Sequence, residues 1–320
     1  LSAIIHADQR EIGNTAHVAV LLCSYNGQHF IAEQLESIAA QSHHNWKVWV
    51  SDDGSSDGTV ELLAAYGEKW GRQRIEVVRG PGRGFAANFL SLACRSEIAA
   101  DYYAYSDQDD VWEPEKLRRA LSSLRPCDRE HPALYCARTR LVDEKGTPTG
   151  FSPLFSQAPD FRNALVQNIG GGNTMVFNDA ARALLLRAGS DLRVVAHDWW
   201  TYLAVTAAGG SVVYDPVPTL LYRQHGSNLI GSNRGLAART LRVRQLFRGQ
   251  LRGWIDANLS ALNRIVECVP THHRTILQHF SRARDGRLCT RLCALRLSGV
   301  FRQTLLGNVG LVIAAVFKKL

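Results

Sequence analysis

Three carboxylates fall within four residues at Asp107-Gln108-Asp109-Asp110. Unpaired buried carboxylates are costly, so such a cluster either stays solvated as a turn or holds a cation. Hard oxygen ligands suit Mg²⁺ or Mn²⁺. The apolar flanks, Tyr102 to Tyr105 before and Val111-Trp112 after, weigh against a merely solvated loop. A second constellation is His197-Asp198-Trp199-Trp200. A lone carboxylate beside an apolar wall is shielded from water and raised in pKa, which suits a general base. The other reading of Asp198 is a helix N-cap.

These residues need elements to hold them. Val18 to Cys23 is a continuous apolar run of buried-strand length. Ile31, Leu35, Ile38 and Ala39 follow at helical spacing, then Trp46 to Val50 alternates as a second strand. Val60, Leu63 and Ala64 mark a second helix, Ile75 to Val78 a third strand, and Phe85, Phe89 and Leu92 a third helix. Tyr102 to Tyr105 reads as strand four, and Pro114 stands at a helix first turn ahead of Leu117, Leu121 and Leu124. Such alternation predicts an α/β, Rossmann-like, mainly parallel sheet with helices on both faces. Ligands bind such sheets at the carboxyl ends of the strands. Ser24-Tyr25-Asn26, Asp52-Asp53 and Asp107 to Asp110 each follow a predicted strand and should share one edge. Further on, Ala133 to Val142 reads as one strand. Asn178 to Ala188 reads as a helix capped by Asn178 or Asp179, and Val212 to Tyr214 and Leu220 to Tyr222 as short strands.

Several motifs in order carry a resemblance. Tyr25-Asn26-Gly27, Gln34-Leu35-Glu36-Ser37-Ile38 with Gln41, Asp52 to Thr59, Asn88-Phe89 and Ser106 to Trp112 resemble the family 2 glycosyltransferases across roughly residues 18–125. Asp-Gln-Asp-Asp-Val-Trp is similar to the branch that includes bacterial rhamnosyltransferases of cell-surface polysaccharide synthesis. The resemblance implies the GT-A fold and an inverting, metal-dependent transfer. The sugar would be L-rhamnose from dTDP-rhamnose, or another sugar from a UDP donor, and the acceptor a polysaccharide or lipid-linked glycan. It also implies roles. Tyr25 lies beside the nucleobase, Ser24 near ribose or base, and Asp53 accepts from the base imide, with Asp52 its neighbouring candidate. Asp107, Gln108 and Asp109 belong to the donor site, Asp109 as metal ligand and Asp107 towards the ribose or the metal's water shell. Asp198 is the catalytic base, and His197 stands where many members carry Glu. Trp199 and Trp200 offer faces on which a sugar could stack. Gly171, Gly172 and Asn173 form an acceptor-side loop, Arg223 contacts the diphosphate, and His225 is an extra metal ligand. The alternative for Tyr25 is a strand-end packing residue, and for Asp53 a cap ahead of the second helix.

Four regions follow: an extension at 1–17, a nucleotide-sugar-binding half at 18–125, an acceptor-binding half of the same domain at 126–234, and a basic helical region at 235–320. Hydrophobic residues make up 46% of 320 and charged residues 21%, which argues against disorder, collagen and a polytopic membrane protein. The net charge of +8 is uneven: residues 235–320 hold 15 Lys and Arg against 3 Asp and Glu, and the rest is slightly acidic. Arg239, Arg242, Arg244, Arg248 and Arg252 recur at helical intervals among Leu241, Leu246, Phe247, Leu251 and Trp254. A basic amphipathic helix lies on an anionic membrane surface, packs on the catalytic half or binds phosphates of nucleic acid. No nucleic-acid motif is present, so no nucleic-acid partner is expected. Leu1 to Ile5 is too short for a signal peptide, and the seven scattered cysteines read as reduced thiols. A cytoplasmic enzyme, peripheral at the inner face of the cell membrane, is the expectation. Competing readings are a sugar-nucleotide nucleotidyltransferase, against which the lack of a basic phosphate loop at Ser24 to Gln28 counts, and a non-catalytic binding module.

Overall fold

The computed structural model describes residues 15–224 and 250–320. Strands β1 (Val18–Ser24), β2 (Trp46–Asp52), β3 (Ile75–Arg79) and β4 (Tyr102–Asp107) alternate with helices α1 (Ile31–Ala39), α2 (Thr59–Trp70) and α3 (Phe85–Ala93). A short β5 (Val111–Trp112) and α4 (Lys116–Leu124) follow. Then come β6 (Ala133–Ala137), β7 (Arg140–Val142), β8 (Pro148–Phe151), a short α5 (Phe161–Ala164), β9 (Val176–Asn178), α6 (Asp179–Ala188), α7 (His197–Ala207), β10 (Ser211–Asp215) and β11 (Leu220–Arg223).

One seven-stranded sheet has the order β10-β6-β9-β4-β1-β2-β3. All its pairings are parallel except those of β9, which runs antiparallel to both β4 and β6. Every residue of β1 is buried, as a central strand covered on both faces must be. One face carries α1, α2 and α4 through Ile31, Leu35, Leu63, Leu117 and Leu121. The other carries α3, α6 and α7 through Phe89, Leu185, Trp200 and Leu203. A four-stranded sheet, β5-β11-β7-β8, lies beside the main one.

The expected single strand over Ala133 to Val142 is two strands. β6 joins the large sheet and β7 the small one, with Arg138 and Thr139 between. Alternation alone cannot show a strand changing sheets. Asn178 does cap α6, its side chain accepting from the Ala181 amide.

Helices α8 (Gln250–Leu262), α9 (Thr271–Asp285), α10 (Leu288–Ser298) and α11 (Leu305–Val316) complete the chain. Leu251, Ile255, Phe280, Ala283, Ala294 and Leu311 join the same core as Trp200 and Phe89, so this region packs on the catalytic half. Its arginines brace it. Buried Arg291 donates to the carbonyls of Ala315, Val316 and Gly286, the first two at the end of α11, where helical carbonyls lack partners. Buried Arg284 pairs with Asp256. None of the seven cysteines is paired. Among the described residues no helix is long and apolar enough to cross a membrane.

Candidate active site

The register of the parallel strands builds the site edge. Ser24 lies opposite Asp52 on β2, and Cys23 opposite Asp107 on β4. The polar clusters predicted after β1, β2 and β4 therefore line one side of the sheet.

On the β1–β2 part of that edge, Asp52 is buried and fully engaged. Its Oδ1 accepts from the amides of Gly54 and Ser55, and its Oδ2 from the hydroxyls of Ser24 and Ser55. This carboxylate builds the turn. Asp53, half-buried beside it, accepts from the amides of Gly82 (2.7 Å) and Gly84 (2.8 Å), tying β2 to the loop before α3. It does not cap α2; Asp57 holds the first amide of that helix. The Tyr25 side chain is 59% exposed, so it is no packing residue and is free to meet a flat ligand. Its backbone is bracketed by Gln108, whose Oε1 accepts from Tyr25 N (2.9 Å) while Nε2 donates to Tyr25 O (3.0 Å). Asn26 takes the left-handed conformation, φ 50°, beyond this bracket. A Cβ on Gly27 would collide with the Gln108 amide, so a side chain there would push Gln108 off the Tyr25 backbone.

Across the sheet edge, β4 ends in Asp107, and Asp109 and Asp110 follow in the loop; Asp107 and Asp109 are partly exposed and Asp110 is buried. Burial pushes the Asp107 carboxyl up to about 8, with the negative charges of Asp109 and Asp198 adding to the effect. Asp198, about ninety positions further along the chain, thus lies near enough to act on Asp107. Asp198 sits in the first turn of α7; the N-cap is Ala196, so the capping alternative does not hold. Its Oδ1 accepts from Trp199 N and its Oδ2 from Gly172 N. Burial pushes it up to about 6 against these hydrogen bonds and one from Asn168. Asn168 is a site residue that the sequence reading missed.

His197 fills the floor behind Asp198. Its ring stacks on Phe89 at 3.8 Å between centroids and meets Tyr105 edge-on. Burial drives its pKa down to about 3, so it is neutral. A Cβ on Gly172 would collide with His197 Nε2 and crowd Asp198 Cβ at 3.3 Å. Gly172 and Asn173 are buried in a 3₁₀ turn, Gly172–Thr174, and Gly171 is exposed beside it.

Two expectations fit this geometry poorly. Trp199 and Trp200 are core residues; Trp199 Nε1 donates to Ala164 O at 2.7 Å, and Trp200 is wholly buried. At the start of α7, consecutive side chains point in different directions, so Asp198 reaches the cleft while its neighbours turn inward. Neither indole offers a face to a sugar. Arg223, also buried, donates to Glu33 (2.5 Å), to Asp109 O (3.2 Å) and to Glu144 O (2.8 Å). It supports the carboxylate loop from below. His225 lies outside the described residues, as do Arg239, Arg242, Arg244 and Arg248.

The residues present fit a divalent cation in charge. Asp107 and Asp109 crowd negative charge at an edge that also holds Asp198, and a cation there would relieve the repulsion that raises Asp107. Among the described residues no three His, Cys, Asp or Glu side chains stand close enough to hold an ion by themselves. Its remaining ligands would be phosphate oxygens and water, as is usual for Mg²⁺ at phosphate sites.

The mainly parallel sheet with polar clusters along one edge is the architecture of the GT-A glycosyltransferases. Residues 19–185 match the model of glycosyl transferase family 2, and the chain belongs to that family. It is 27% identical to the dTDP-rhamnosyl transferase RfbG of Shigella flexneri over 231 residues, 69% of this chain and 78% of that one. Among solved structures it is similar to S. aureus TarS residues 1–349 in complex with UDP-GlcNAc (TM-score 0.52, 15% identity, 88% of this chain and 90% of that chain). It is similar also to GalNAc-T7 with UDP, GalNAc and Mn²⁺ (TM-score 0.52, 11% identity, 75% of this chain and 52% of that chain).

Proposed function

We infer that the protein transfers L-rhamnose from dTDP-rhamnose, with inversion, to a hydroxyl of a surface polysaccharide or lipid-linked glycan. The observation that carries this reading is Asp198, held by the Gly172 and Trp199 amides and close enough to act on Asp107 at the end of β4, in a chain similar to a dTDP-rhamnosyl transferase. Tyr25 would pack on the base and Asp53 would accept from its imide N–H. Thymine and uracil share that imide edge, so a UDP-sugar is the second reading, favoured by the fold's likeness to a UDP-GlcNAc-bound structure. A Mg²⁺ or Mn²⁺ ion at Asp107 and Asp109 would neutralise the diphosphate and ease its departure. Asp198 takes the proton of the acceptor hydroxyl. That oxygen bonds to the anomeric carbon as the bond from this carbon to the phosphate oxygen breaks, and the nucleotide leaves with the electron pair. The position of Asp198, in a half-buried spot and paired with backbone amides rather than a cation, keeps it near the pKa such a base needs.

The described part of the basic region suits peripheral contact with an anionic membrane at the inner face of the cell. Leu305, Leu306, Val309, Val312 and Phe317 are exposed on or just after α11, and residues 286–320 hold six Lys and Arg and no acid. Attraction amounts to roughly 1 kcal/mol per basic residue near such a surface. Thermal-shift titration with dTDP-, UDP- and GDP-sugars in the presence of Mn²⁺ tests the donor. Stabilisation by dTDP-rhamnose above the others is the expected result, and preference for a GDP-sugar would overturn the reading.

A further inference from the structure

Asp110 stands apart from the carboxylates beside it. Asp107 and Asp109 are partly open to solvent, whereas Asp110 is 1% exposed. Its Oδ2 accepts a 2.6 Å hydrogen bond from Asn173 Nδ2, itself buried. Its Oδ1 is buried without a hydrogen-bond partner among the described residues, and so is Lys116 Nζ, on a side chain that is wholly covered. Lys116 Nζ lies 4.3 Å from the centroid of the Trp112 ring. Burial pushes the Asp110 carboxyl well above the usual carboxylate range and the Lys116 ammonium down to about 7, so the charged form of each is disfavoured. Neither atom is open to a ligand, so their use must be internal.

Asn173 shows what that use is. It belongs to the turn whose Gly172 amide donates to Asp198 Oδ2. Starting from the donor side, Asp109 is joined by a peptide bond to Asp110, Asp110 by a hydrogen bond to Asn173, Asn173 by a peptide bond to Gly172, and Gly172 by a hydrogen bond to Asp198. We propose that Asp110 and Asn173 form a strut that sets the spacing between the donor carboxylates and Asp198. Both side chains are buried, and both are positioning residues. The functional half of this inference rests on Asp198 being the base.

Two measurements test it. The first is a double-mutant cycle on thermal unfolding with D110A, N173A and the pair D110A/N173A. The two side chains share one buried hydrogen bond, so the double variant should lose less than the sum of the single losses. Additive losses would overturn the contact as a strut. The second is N173A, which keeps all charges. It should lower kcat by up to about 100-fold while KM for the donor and nucleotide affinity change little, because small misplacement of a reacting group is enough for such a loss. N173A/D198N should be no slower than D198N alone, since Asn173 acts through Asp198. A rise in donor KM without loss of kcat in N173A, or a double variant far below D198N, would overturn the strut. Full activity of D198N would sink the base assignment separately, and the unfolding cycle would still decide the Asp110–Asn173 contact.

Discussion

The carboxylates at this site differ by environment rather than by type. Asp52 is satisfied by four donors and serves the turn, Asp110 is buried against Asn173, and burial raises Asp107 and Asp198. A base must be ionised to work, and Asp198 is ionised above about 6. Turnover under saturating donor should therefore fall as pH drops through about 6, with a slope of one proton, and a pH–kcat profile checks this; a flat profile down to pH 5 would count against the assignment. Asp109→Ala, or a chelator, should weaken nucleotide-sugar binding, read as a reduced thermal shift with Mn²⁺. Asp107, Asp109 and Asp198 were legible as candidates because carboxylates after apolar strands and beside tryptophans are uncommon without a purpose. Lys116 was not legible: a lysine in the first turn of a helix reads as solvated, and only the fold shows it wholly covered. Trp199 and Trp200 were misjudged because sequence adjacency says nothing of which way each indole points.

Among elements, the loops matter through close approach. Gly172 lies so near His197 that any side chain there must displace the ring or push on Asp198. Gly172→Ala should lower kcat by about 10-fold or more and reduce the unfolding temperature, measured on the same preparation. The Gly170-Gly171-Gly172 run hinted at such a place, though glycine runs alone mark plain turns as often. The first four strands and three helices were readable because central parallel strands are continuous apolar runs and their helices keep a regular apolar face. The second half was less so. β9 is three residues long and antiparallel within a parallel sheet, and the segment 133–142 divides between two sheets. Neither feature leaves a period in the sequence.

For the whole molecule, the positive charge is concentrated in residues 235–320, and the rest of the chain is slightly acidic. The helices after residue 250 complete the core under α7, and their outer side shows aliphatic residues framed by basic ones. Leu305 and Leu306 are 81% and 75% exposed, so Leu305→Glu with Leu306→Glu should leave the fold intact. The double variant should lose co-sedimentation with vesicles containing anionic lipid at low salt, while the parent protein binds them and releases at high salt. Equal binding of both proteins would remove this face from the account.

The cleft itself is tested most directly by measuring donor binding and sugar transfer side by side in the parent enzyme and Asp198→Asn, with dTDP-rhamnose and Mn²⁺. The carboxylate acts on the acceptor, so the variant should bind the donor as tightly as the parent and lose transfer by about 100-fold or more. A variant that transfers at the parent rate, or loses donor binding in step with transfer, would contradict it.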